Sequence, residues 1–163
     1  MVSIKRILVP VDFSDCSVEA LRYALELADL FDASIDVVYV WEPPYYVGPD
    51  MMLYVPGSAG QSLIGHARAK AESELDETVR RVTTNGKSLR ITQRLVSGQP
   101  YRKICEIAEL ESFDLIVMGT HGRTGLSRLI VGSVAEKVIR FAPRPVLTIG
   151  RPLPEVLHAR PTS

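Results

Sequence analysis

Short apolar runs alternating with stretches of helical period constrain this chain more than any other feature. Ile7 to Val11 is apolar throughout, as in a strand covered on both faces. Ser14 and Asp15 follow as helix-capping types, and Val18, Leu21, Ala24, Leu25, Ala28 and Phe31 then recur at helical spacing. Ser34 to Trp41 is rich in β-branched and aromatic residues and reads as a second strand. Ile64, Ala67, Ala71, Leu75, Val79 and Val82 restore the helical period until Asn85–Gly86 stops it. A third strand is expected within Ser88 to Val96, where Leu89, Ile91 and Leu95 are broken by polar residues, as a sheet edge tolerates. Pro100 to Leu110 reads as a third helix and Asp114 to Thr120 as a fourth strand. Val134 to Phe141 then reads as a fourth helix and Arg144 to Gly150 as a fifth strand.

Buried strands joined by helices define an α/β fold: an open, doubly wound, mostly parallel sheet of five strands, Rossmann-like, with helices on both faces. Such sheets bind ligands beyond the carboxyl ends of their strands, where strand order reverses. The ends of the first, second and fourth strands are therefore the places to look for a site. The 163 residues fit one domain, 1–150, followed by a proline-rich tail at 151–163 that is expected to be poorly ordered. Lysine plus arginine equals aspartate plus glutamate, 19 each. A chain without a basic excess is a poor fit to nucleic acid or an anionic membrane as its main partner. No run reaches the roughly 18–20 apolar residues of a membrane helix, and the opening apolar run is too short for a signal peptide. Cys16 and Cys105 are too few for a disulfide framework and lack metal-site spacing. A cytoplasmic location is expected on these grounds.

Val117 to Ser133, VMGTHGRTGLSRLIVGS, places four glycines and two arginines between the fourth strand and the fourth helix. Two residues separate Gly119 from Gly122, nine separate Gly122 from Gly132, and Ser133 follows. Glycine lets backbone approach a ligand closely. A helix start offers unpaired N–H groups and the positive end of its dipole, and Ser133 stands where a hydroxyl could cap that helix or meet a phosphate. The spacing is neither a P-loop nor a dinucleotide fingerprint, so positive charge would come from Arg123 or Arg128. On these residues alone, a plain turn and an anion cradle remain equal readings. Asp12, closing the first strand, is either a helix cap or an acceptor for ribose hydroxyls. Val40, closing the second, is either core or a source of backbone N–H and C=O for a base edge. His121 is either a donor to a ligand or a solvent-facing loop residue.

Taken together, ILVPVDFS, DLIVMGTHGRTGLSRLIVGSVAEKVI and RPVLTI resemble the universal stress proteins, in particular their ATP-binding branch. That branch is marked by G-x2-G-x9-G-[ST], matched here by Gly119, Gly122, Gly132 and Ser133. The resemblance spans Ile4 to Ile149 apart from the Glu42–Gly60 segment. It implies strand order 3-2-1-4-5 and a bound adenine nucleotide, ATP or else ADP or AMP, with Mg2+ or Mn2+. It further implies that Pro10, Val11 and Asp12 border the adenosine and that Val40 meets the adenine through its backbone. By the same resemblance Met118, Gly119, His121, Gly122 and Arg123 surround ribose and phosphates, while Gly132, Ser133 and Val134 take the phosphate tail. It also implies a homodimer formed along the last strand, Pro145 to Ile149. The function implied is that of a nucleotide-dependent regulator or sensor in the stress response. The alternative is an adenine-nucleotide hydrolase with slow turnover or self-phosphorylation on Ser127 or Ser133.

Two segments depart from a minimal member of that family. Glu42 to Gly60 carries four prolines, three tyrosines and two methionines, and is either a cover for the protein's own surface or a nucleotide lid or partner patch. The tail is expected to run near a neighbouring subunit. Glu106, Glu109 and Glu111 read as the solvated face of the third helix, and His66 and His158 as surface groups.

Overall fold

The computed structural model describes residues 3–42, 63–83, 90–121 and 131–150. Asn85–Gly86, the Glu42–Gly60 segment beyond Glu42, and the 151–163 tail lie outside the described residues. The elements follow in the order β1 (Arg6–Pro10), α1 (Asp15–Phe31), β2 (Ser34–Trp41), α2 (Leu63–Val82) and β3 (Ile91–Ser97). After them come α3 (Pro100–Leu110), β4 (Leu115–Gly119), α4 (Ser133–Phe141) and β5 (Val146–Ile149). The strands form one sheet in the order β3-β2-β1-β4-β5, with every neighbouring pair parallel. From β1 the chain winds outward to β2 and β3, then crosses back to β4 on the other side of β1. The reversal falls between β1 and β4.

Two apolar layers explain the uninterrupted apolar character of the inner strands. On one face Ile7, Val9, Ile35 and Val37 pack with Leu21, Ala24 and Ala28 of α1 and Leu75 of α2. On the other, Leu8, Val38, Ile116 and Met118 pack with Ile104 and Ala108 of α3 and with Ala135 and Val138 of α4. Each large aliphatic side chain fully withdrawn from water contributes about 1.5–3 kcal/mol. Phe113, just before β4, is buried in the second layer, and the Arg6 guanidinium stands 4.3 Å from its ring centroid.

Helix α1 starts where the Ser14 hydroxyl accepts from the Ser17 N–H at 3.3 Å. It ends where Asp32 turns left-handed, at φ 50°, and the Ala33 N–H closes onto the Ala28 carbonyl at 3.0 Å.

Pro10 determines where the sheet opens. In a parallel ladder a residue addresses one neighbouring strand with both its N–H and its C=O, and the next residue addresses the other. Val11 donates to the Val38 carbonyl at 2.9 Å, so odd-numbered residues of β1 serve β2 and even-numbered ones serve β4. The next donor to β4 after Leu8 would be residue 10, and proline has no N–H to give. The β1–β4 register ends at Leu8↔Ile116, whereas β1 and β2 stay paired as far as Pro10↔Val38. The two strands at the reversal therefore separate at their carboxyl ends.

The β3 edge is more charged than its pattern announced. Asp36 of β2 is buried beside it, and burial raises its carboxyl above the ordinary aspartate value, against the opposing pull of Arg94. Arg94 places one guanidinium nitrogen 2.9 Å from Asp36 and forks onto Glu111 at 2.8 and 2.9 Å. Glu111, expected on the solvated face of the third helix, instead lies just past the end of α3. The hydrogen bond from Arg94 holds its carboxyl below the ordinary glutamate value. Glu106 does serve the surface of α3, paired with Lys103 at 2.8 Å.

Candidate functional site

The strand ends singled out by the sequence converge on a cavity of about 190 Å³ at the reversal. Pro10, Val11 and Asp12 form the β1 side of it and Val40 the β2 side. Met118, Gly119 and His121 come from β4 and its exit, and Gly132, Ser133 and Val134 from the start of α4. Ten of the twelve expected residues thus line one cleft; Gly122 and Arg123 lie outside the described residues. Ser17, Tyr39, Pro100, Ile104, Thr120 and Ala135 line it as well. None of these was singled out from the sequence. Thr120 was legible as the neighbour of two candidates, and Pro100 as the first residue of a helix that starts at the carboxyl edge. Ile104 and Ala135 look like any core residue of an amphipathic helix.

Backbone geometry explains what Val40 offers. Val38 turns its carbonyl toward β1, and Trp41 turns its own toward β3, where it accepts from the Gly98 N–H at 3.0 Å. The alternation leaves the Val40 N–H and C=O directed to the β1 side, beyond the point at which β1 has left the sheet. One donor and one acceptor therefore stand side by side at the cleft wall.

Asp12 is not the cap of α1; it holds the residue that is. Its Oδ1 accepts from the Ser14 N–H at 3.1 Å and lies 2.5 Å from the Ser14 hydroxyl. That hydroxyl is also 3.1 Å from the His121 carbonyl, and its single hydrogen serves one of the two acceptors at a time. Ser14 thus joins the start of α1, the end of β1 and the exit of β4. Between Asp12 and Ser14, Phe13 adopts φ 66° and sets its ring 4.6 Å from that of Tyr39.

Gly119 is required by packing. A Cβ there would stand 2.8 Å from the Cys16 carbonyl carbon and 2.9 Å from both the Cys16 Cβ and the Ser17 nitrogen. The first turn of α1 is pressed against the end of β4, and two of those three atoms are backbone that no rotamer change can move aside. Cys16 is buried in this contact.

At the other end of the loop, Gly132 caps α4. It accepts the Glu136 N–H at 2.9 Å and donates its own N–H to the Thr120 carbonyl at 2.7 Å. Gly132 has no side chain with which to cap the helix. Ser133 is the first helical residue and not the cap expected of it, so its hydroxyl is left at the cleft. Gly132 to Ala135 line the cavity, so the positive end of the helix dipole lies at its edge.

His121 completes this end. Its Nδ1 lies 2.8 Å from the Thr120 hydroxyl. Its Nε2 is buried and meets no hydrogen-bond partner among the described residues, so the ring is not a solvent-facing loop group. A buried polar atom left without a partner costs roughly 1–3 kcal/mol. Among the described residues no group of three or more His, Cys, Asp or Glu stands close enough to hold a metal ion, and no helix is long and apolar enough to cross a membrane.

A parallel sheet in this order, parted by a proline at the reversal and faced there by a glycine-capped helix start, is a doubly wound α/β fold, a class whose ligands bind at the switch point. Residues 3–150 match the model of the universal stress protein family. The chain belongs to that family. It is 36% identical over 151 residues to a universal stress protein of Methanocaldococcus jannaschii, covering 93% of this chain and 85% of that one. Universal stress protein UspA from Lactobacillus plantarum superimposes with a TM-score of 0.70 at 27% identity, over 90% of this chain and 98% of that one. The universal stress protein from Archaeoglobus fulgidus in complex with dAMP superimposes with a TM-score of 0.59 at 25% identity, over 91% and 99%.

Proposed function

We propose that this protein binds an adenine nucleotide, ATP in the first instance, in the switch-point cleft and acts as a nucleotide-dependent regulator in the stress response. The observation that carries the reading is the buried Nε2 of His121, unpartnered among the described residues, at a cleft edged by the glycine-capped start of α4. A ligand oxygen satisfies that atom. In this reading the Val40 N–H and C=O pair with the edge of the adenine, and Pro10, Val11 and Asp12 border the adenosine, with Asp12 on the ribose. Met118, Gly119 and His121 lie along ribose and phosphates; Gly122 and Arg123, assigned there by the family resemblance, lie outside the described residues. Gly132, Ser133 and Val134 take the phosphate tail, with the N–H groups of Ser133 and Val134 as donors because that of Gly132 is held by the Thr120 carbonyl, at a helix start that favours anions. Asp12 is the one carboxylate at the cleft wall among the described residues, so Mg2+ or Mn2+ enters in this reading as the counter-ion of the phosphates. When bound, it neutralises phosphate charge. The dAMP complex of the Archaeoglobus fulgidus relative supports an adenine ligand.

The protein is proposed to work as a cytoplasmic homodimer joined along Pro145 to Ile149, whose β5 is an outer strand of the sheet. The test is to denature the purified protein, chromatograph the supernatant for adenine nucleotides, and titrate the stripped protein with ATP and Mg2+ by calorimetry. Absence of both co-purified nucleotide and binding at millimolar ATP refutes the reading. Product analysis after incubation separates a regulator from a hydrolase: sustained release of ADP or AMP identifies the latter.

A further inference from the structure

We infer that Thr120 is a positioning residue: its hydroxyl fixes His121 with the ring hydrogen on Nε2, making that atom a dedicated donor to a ligand oxygen. The inference rests on the nucleotide reading for the identity of the ligand but not for the state of the ring. A neutral imidazole carries one N–H and one bare acceptor nitrogen, and the partner of one nitrogen decides the state of the other. The Thr120 hydroxyl has one hydrogen and, among the described residues, two acceptors in reach. The His121 Nδ1 is at 2.8 Å, within the normal range for a hydrogen bond, and the Ile149 carbonyl is at 3.3 Å, beyond it. That carbonyl already accepts the Thr120 backbone N–H at 2.9 Å. The shorter contact, to a nitrogen with no other donor among the described residues, takes the hydrogen.

With Nδ1 accepting, the hydrogen of the ring sits on Nε2, which is buried without an acceptor among the described residues. The opposite ring, with hydrogen on Nδ1, would commit the hydroxyl to its long contact and leave Nε2 an acceptor. The two rings demand ligands of opposite character. An Nε2 donor beside the N–H groups of the α4 start gives a cleft end built of donors, which fits an anionic oxygen such as that of a phosphate. An Nε2 acceptor there would call for a hydroxyl or an amine.

The ring state is read in the protein stripped of nucleotide, by long-range proton–nitrogen NMR correlation at a pH where the ring is neutral. Wild type is expected to show hydrogen on Nε2 and the shift of a hydrogen-bonded acceptor at Nδ1. Thr120→Val, close in shape, is expected to lose that acceptor signature, and Thr120→Ser to restore it. Hydrogen on Nδ1 in the wild type, or a ring spectrum unchanged by Thr120→Val, overturns the inference. In calorimetry, Thr120→Val is expected to bind ATP roughly three- to tenfold more weakly, the loss of about one hydrogen bond, and Thr120→Ser to recover. A wild type that binds no ATP refutes the nucleotide reading, and the ring spectrum still decides the role of Thr120.

Discussion

Replacing Gly119 by alanine tests the contact between the end of β4 and the start of α1. The added Cβ would sit 2.8–2.9 Å from three atoms of Cys16 and Ser17, inside the range that real Cβ atoms avoid. Because two of those atoms are backbone, the first turn of α1 has to shift, and α1 carries seven buried residues on its core face. Overpacking of a filled interior costs about 1–3 kcal/mol. For a chain of this size that lowers the melting temperature by roughly 2–12 °C, at about 2–4 °C per kcal/mol. Gly150→Ala is the matched control, since its Cβ would meet only the Thr120 hydroxyl oxygen at 3.8 Å, an ordinary contact. Thermal and denaturant unfolding of both variants is the assay. The same shift of α1 displaces Ser14, which touches the His121 carbonyl, so Gly119→Ala is also expected to weaken ATP binding. A melting temperature for Gly119→Ala equal to that of Gly150→Ala would refute the argument that helix packing, more than ligand approach, demands glycine here.

Ser133→Asp separates folding from phosphate binding. A carboxylate at a helix start adds about 0.3–1 kcal/mol of stability, while unit charges about 6 Å apart at an effective dielectric near 20 repel by about 3 kcal/mol. Calorimetry is expected to show ATP affinity falling about 100-fold with the melting temperature unchanged or raised; retained affinity would place the phosphates elsewhere. Glu111→Gln is expected to cost about 1 kcal/mol at neutral pH, since the pair with Arg94 is partly open to water. The folded-state value of Glu111 is depressed. The wild-type advantage is therefore full above the ordinary glutamate value of 4.5 and disappears as pH falls through the lower folded value, as denaturant titrations across acid pH would show. Ser14→Ala removes the cap of α1 and is expected to cost about 1 kcal/mol in urea unfolding, with Ser14→Thr recovering most of it.

The sheet was legible because burial on both faces leaves a simple mark: Ile7 to Val11 and Leu115 to Met118 have no polar residue to spare. The ten residues that converge on the cleft were legible because they lie at strand ends and in a spaced glycine motif. What stayed hidden depends on contacts between distant parts of the chain. Nothing near Gly119 in sequence announces that Cys16 and Ser17 press on it, because the approach is made by a helix about a hundred positions away. Glu111 reads as helix surface until Arg94 is seen to come across from β3. Ser133 looked like a cap because the cap is glycine, which carries no side chain to betray the boundary.

Pro10 has a consequence for binding energetics. The donor missing from its nitrogen is absent whether or not the cleft is filled, so the gap between β1 and β4 is a permanent property of the chain. A ligand that enters it breaks no strand pairing and orders no new backbone on that side. The conformational cost that commonly reduces affinity is met during folding instead. The β1–β4 wall is accordingly expected to have the same geometry empty and full, and any change that signals occupancy is left to the other wall, at the start of α4.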